Sequence, residues 1–139
     1  MKKEEFLAMS LPFGLKMYKE SLHGEIETPY ILTPEWLESA LEFKNKPILH
    51  PLSDLTKECV QANYNDGKPF IPMAEISNRN SFITYIRNQF VIGINPIYKL
   101  DELPTFVTYL LVKWHFDISR LIEKGEAIDI NTLPENPYK

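Results

Sequence analysis

One cysteine, five glycines, three histidines and no long apolar run: each shortage in this chain of 139 residues removes a class of function. A single Cys59 excludes an intrachain disulfide. Its place in the spacing Leu55, Cys59, Ala62 marks an apolar helix position, where a thiol reads as a small buried hydrophobe rather than a nucleophile. His23, His50 and His115 form no His-x-x-x-His pair, and no Cys-x-x-Cys exists, so neither a metal site nor a cofactor is expected. None of the glycines falls in a phosphate-cradling loop, and no Gly-x-Ser-x-Gly elbow is present. No apolar stretch approaches the roughly 18 residues that span a membrane. Met1-Lys2-Lys3-Glu4-Glu5 is followed by no hydrophobic segment, so a secretory signal is not expected and the setting reads as cytoplasmic. Positive charge is also short. The formal net charge is −4, and Lys44, Lys46 and Lys57 are interleaved with acids, which argues against a general nucleic-acid binder.

What the chain does have is enough apolar content, 44%, to bury a core without disulfides or metal. Eleven prolines divide it into short elements, and no repeat or linker is visible. The reading is one domain over 1–139, of α+β class. Short strands and hairpins form a small, mainly antiparallel sheet packed on a long C-terminal helix, with two or three shorter helices. Residues 3–9 suit a short helix halted by Pro12 and Gly14. Leu15 to Leu22 and Glu25 to Leu32 flank His23-Gly24 as a hairpin, Gly24 supplying the positive φ of a tight turn. Thr33-Pro34-Glu35-Trp36 opens a helix near 34–43, with Thr33 as cap and Pro34 at its first position. Lys46 to Pro51 must be extended, since residues before proline avoid the helical region. Ser53 then caps a helix through Ala62, and Asn65-Asp66-Gly67 ends it. Residues 68–100 are ambiguous between strand and helix. Phe82 to Ile86 and Gln89 to Ile94, separated by Arg87-Asn88, have the composition of a β-hairpin. Ala127 to Asn131 alternates like an edge strand.

The strongest element is a helix that begins at Asp101 or Leu103, with Pro104 in its first turn, and runs to about Lys124, where Gly125 provides a stop. At about 100° per residue, Leu103, Phe106, Leu110, Trp114, Ile118 and Leu121 share one face. Tyr109, Val112 and Phe116 lie roughly opposite. Either the helix is covered on both sides, or this second face meets another subunit. Asp117 falls near the apolar stripe, where a carboxylate must be paired or shifted. Lys113 at i−4 and Arg120 at i+3 offer a structural ion pair. The catalytic alternative pairs Asp117 with His50 or His115. His115 and Asp117 diverge on a helix, so they are no local dyad.

Three stretches carry a family resemblance: Ser10-Leu11-Pro12-Phe13-Gly14-Leu15-Lys16; Lys46-Pro47-Ile48-Leu49-His50-Pro51-Leu52-Ser53-Asp54-Leu55-Thr56-Lys57-Glu58; and Trp114-His115-Phe116-Asp117 with Ala127-Ile128-Asp129-Ile130-Asn131. Together these resemble a family of small uncharacterised proteins of gut bacteria, their prophages and mobile elements. The resemblance implies a phage-associated or mobile-element setting and transfers no functional residue.

The function these observations favour is non-enzymatic: a binding or assembly protein acting through self-association or a protein partner. The two-sided helix, 12% aromatic content and the lack of catalytic motifs support it. The alternative is an enzyme or small-ligand binder using Asp117 with His50 or His115. Sequence-specific nucleic-acid recognition ranks last, because an extended Pro-containing segment, not a tight turn, separates the two expected helices at 34–43 and 54–62.

Overall fold

Prolines and left-handed turn residues keep every described element short. The computed structural model describes residues 1–19 and 29–139. Its helices are α1 (Lys3–Ser10), α2 (Leu37–Glu42), α3 (Pro72–Arg79) and α4 (Thr105–Lys113). Its strands are β1 (Lys16–Tyr18), β2 (Tyr30–Ile31), β3 (Lys46–Leu49), β4 (Ile83–Ile86), β5 (Gln89–Ile92), β6 (Asn95–Pro96) and β7 (Ile128–Asp129). The class is α+β, with two small sheets. The chain separates into two compact units, one of Met1–His50 with Leu111–Pro137, the other of Pro51–Leu110 with Tyr138–Lys139.

The first unit holds a four-stranded sheet in the order β2-β1-β3-β7. β1 pairs antiparallel with β2 and with β3, whereas β7 joins β3 in parallel, Ile48 opposite Ile128. β7 is thus the edge strand that the alternation over 127–131 predicts. The pairing of β1 with β2 matches the two arms of the expected hairpin, but its His23-Gly24 turn lies outside the described residues. Phe6 and Leu7 of α1, Leu15, Met17, Ile48, Leu49, Trp114 and Phe116 are fully buried. Polar ties reinforce this apolar core. Lys3 Nζ donates to the Asn45 carbonyl at 2.7 Å, Asn45 Nδ2 donates to Tyr30 Oη at 2.6 Å, and Lys16 Nζ donates to the Pro137 carbonyl at 2.6 Å.

The second unit carries an antiparallel sheet in the order β4-β5-β6. Arg87 and Asn88 both have positive φ, 53° and 64°, so the two-residue connection of β4 to β5 is a type I′ turn that suits strand twist. Gly93, with φ of 65°, begins the next two-residue turn, Gly93-Ile94. Helix α3 packs against β4 and against the 3₁₀ turn Leu52–Thr56. The composition of residues 82–94 therefore signals their strands correctly. The remainder of 68–100 supplies α3, which begins at Pro72 as proline favours.

Three local expectations are corrected. Ser53 caps no helix: Leu52–Thr56 is a 3₁₀ turn entered from Pro51, and extended Lys57 ends it. Cys59 then pairs with Phe70 in an antiparallel bridge, so the spacing Leu55, Cys59, Ala62 is not helical. Thr33 precedes a 3₁₀ turn and α2, but its hydroxyl makes no capping bond and is buried without a hydrogen-bond partner among the described residues.

The long C-terminal helix is the third correction. α4 stops at Lys113. The N–H of His115 donates to the Val112 carbonyl at 3.1 Å, and that of Phe116 donates to the Leu111 carbonyl at 2.9 Å. With His115 at φ of 64°, this is a Schellman closure. Gly125, at φ of 72°, does terminate a turn in the same way, through Gly125 N to Ile122 O and Glu126 N to Leu121 O. It ends a separate turn, not the helix.

Candidate functional site

The sequence candidates His50, His115 and Asp117 all lie in the first unit, and main-chain hydrogen bonds bring them together. His50 follows β3 and forms a parallel bridge with Phe116. Its N–H donates to the His115 carbonyl at 2.8 Å, and its carbonyl accepts the N–H of Asp117 at 2.9 Å. The His50 ring stacks on Phe116 with centroids 5.0 Å apart and planes 25° from parallel.

The side chains diverge from this shared backbone. His115 places Nε2 2.8 Å from the carbonyl oxygen of Phe13, 102 positions earlier. A carbonyl only accepts, so Nε2 carries the proton of the neutral ring. Burial pushes the His115 pKa from 6.5 down to about 4; the Phe13 carbonyl opposes that fall, while nearby His50 and Lys16 add to it. Asp117 is buried too, and its two carboxylate oxygens accept the N–H groups of Leu121 at 2.8 Å and Ile122 at 3.0 Å. Burial raises its pKa, and those two N–H groups pull it back.

The expected partners of Asp117 are Lys113 and Arg120; the bonds its carboxylate makes run to the N–H groups of Leu121 and Ile122. What satisfies the carboxylate is backbone, and it closes the turn that follows α4. His50, His115 and Asp117 are each at most 5% exposed, so a solute has no access to any of them. The cluster is a polar seam inside a core. Among the described residues no group of three or more His, Cys, Asp or Glu is placed to hold a metal, and no helix is long and apolar enough to cross a membrane.

Cys59 matches its expected burial. Desolvation, with Asp54 adding to it, holds the thiol up at about 11, and Sγ lies 3.7 Å from the Lys57 carbonyl. The thiolate needed for nucleophilic chemistry is therefore scarce at neutral pH.

Two members of the expected interface trio are enclosed. Val112 and Phe116 are buried, while Tyr109 is half exposed.

A different surface takes that place. In the second unit the register sets Ile83 opposite Ile92 and Tyr85 opposite Phe90 on one side of the sheet. Ile83 and Phe90 are buried there. Thr84 opposite Val91, Ile86 opposite Gln89, and Val91 opposite Pro96 lie on the other side. Alternation adds Phe82 and Tyr98 to this second side. Phe82 is 70% exposed, Ile86 55% and Tyr98 76%, and Ile94 at the adjoining turn is 92% exposed. None of these side chains is charged. The signal was present in the sequence: once 82–94 is read as a hairpin, a period of two puts Phe82, Thr84 and Ile86 on one face.

Compared with protein-family models, with curated proteins and with solved structures, the chain shows no match.

Proposed function

We propose that this chain is a non-enzymatic binding or assembly protein that works by protein contact, and that the contact surface is the open face of the β4-β5-β6 sheet. The observation that carries the reading is the exposure of Phe82, Ile86 and Tyr98 on one uncharged face of the sheet, with exposed Ile94 at the adjoining turn. Exposed apolar patches of this kind mark interaction sites, because leaving them in water is unfavourable. The resemblance of three stretches to small proteins of prophages and mobile elements supports a phage-associated role, and a cytoplasmic setting belongs to the same reading.

The alternative of an enzyme or small-ligand binder built on Asp117 with His50 or His115 has less behind it. The Asp117 carboxylate is engaged by two backbone N–H groups, and the three side chains are enclosed. A general base needs hydrogen-bond reach to a substrate proton.

The test is site-specific photocrosslinking in cells of the organism that encodes the chain. Ile86→p-benzoylphenylalanine and Phe82→p-benzoylphenylalanine should each yield a covalent protein adduct, whereas the same replacement at exposed Glu38 should not. No adduct from either face position overturns the reading.

A further inference from the structure

We infer that the occupant of the open sheet face is a second copy of this chain, paired face to face across a two-fold axis. The inference rests on the protein-contact reading above and names its partner. Three observations support it.

Both edges of the sheet are partly blunted. On the outer side of β4, the Ile83 N–H donates to the Asn80 carbonyl at 3.1 Å, and Ser77 Oγ donates to the Ile83 carbonyl at 3.0 Å. On the outer side of β6, Pro96 has no N–H to offer. Blunted edges of this kind disfavour strand addition, which leaves the face as the better contact surface.

The face also carries no charge. A partner of different sequence is usually selected by complementary charge, and Phe82, Thr84, Ile86, Gln89, Val91, Pro96 and Tyr98 offer none. The whole chain carries −4, so two copies meet at least electrostatic cost where neither surface is charged. This face satisfies that condition. The exposed aromatics of the first unit do not: Trp36 and Phe43 are interleaved with Glu35, Glu38 and Glu42.

The area is of the right order. Phe82, Ile86 and Tyr98 on the face, with Ile94 at the adjoining turn, are each more than half exposed and together present roughly 600 Å². A standard interface takes about 800 Å² from each partner, which the surrounding Thr84, Val91 and Pro96 bring within reach. In an isologous pair the same patch serves both sides, so one exposed face completes the contact.

The experiment is solution mass by light scattering over a micromolar concentration series, with cysteine crosslinking of the same face. Wild type should be a dimer. Ile86→Asp and Tyr98→Asp, both at exposed positions, should keep native circular dichroism while raising the dimer dissociation constant at least about tenfold. Thr84→Cys should form a disulfide-linked dimer on mild oxidation, and Glu38→Cys should not. A wild type that stays monomeric throughout the series overturns the inference. So does a dimer that neither Asp variant weakens and Thr84→Cys fails to link, since its interface then lies elsewhere. The two readings separate by adduct mass. Photo-adducts at position 86 of twice the chain mass support self-pairing, adducts of another mass remove it while leaving the protein-contact function standing, and no adduct removes both.

Discussion

The main-chain N–H of Asp117 donates to the carbonyl oxygen of His50 at 2.9 Å, and this bond decides what the Asp117 side chain does. It takes residue 117 out of helical geometry and into a bridge beside β3. In a continuing α-helix, Leu121 N–H would donate to the Asp117 main-chain carbonyl. Here it donates to the Asp117 carboxylate, which caps the next turn.

Asp117→Ala should therefore destabilise the protein by about 2–3 kcal/mol, because it strands a buried N–H of Leu121 and removes a charge-assisted bond. Asp117→Asn, which keeps one acceptor, should cost less. Lys113→Ala should leave the Asp117 contribution intact. Urea denaturation of the three variants measures this. A loss for Lys113→Ala that vanishes in the Asp117→Ala background would show an ion pair between the two.

Arg120 sits three residues later with φ of 55° and is exposed. A left-handed backbone costs a side-chain-bearing residue roughly 1 kcal/mol, and glycine bears no such cost. Arg120→Gly should thus be neutral or stabilising by up to about 1 kcal/mol, an unusual result for glycine. Thermal denaturation checks it, and a lower midpoint would show that the arginine side chain contributes more than its backbone strain.

These two positions show where the sequence is legible and where it is not. The hairpin at 83–92 is readable because its information is local: β-branched and aromatic runs two residues apart. The edge strand at 128–129 is readable for the same reason. The end of α4 is not. Trp114, Ile118 and Leu121 keep helical spacing and are all buried, yet the chain leaves the helix at His115. Beyond the local closure on Leu111 and Val112, the bonds that tie His115 down come from Phe13 and His50, far away in sequence. Periodicity records burial, and a tightly wound loop inside a core buries the same residues as a helix. Ser53 failed as a cap because two prolines before it already direct the chain, and because Cys59 gains a strand partner in Phe70.

His115 should make stability depend on pH. Its folded pKa, about 4, lies below the ordinary 6.5, so the unfolded chain binds the extra proton between those values. Stability from this group is full above pH 6.5 and falls as pH drops towards 4, by roughly 3 kcal/mol at most. Asp117, whose carboxyl is raised in the fold, works in the opposite sense. His115→Asn, which tolerates the left-handed backbone and does not titrate, will be less stable overall. Its stability should nevertheless lack the fall between pH 6.5 and 4. Equal slopes for wild type and variant would assign the acid sensitivity to another group.

Cys59 offers a check on the second unit alone. Its thiol is buried, with a pKa of about 11, so at pH 8 about one molecule in a thousand carries thiolate. Alkylation by iodoacetamide should be slow in native buffer and accelerate by orders of magnitude in denaturing urea, at a rate set by opening of the Cys59–Phe70 bridge. The bridge has two main-chain bonds, Cys59 N to Phe70 O at 2.8 Å and Phe70 N to Cys59 O at 3.0 Å. Replacing Phe70 by Ala removes the buried ring that rests on Tyr64 but keeps both of those bonds. Phe70→Ala should then raise the native alkylation rate through packing alone, by the fold-change that its loss of stability dictates. If the rate rises further than global stability falls, the segment opens locally; if it does not change, the thiol is shielded by something other than this pairing.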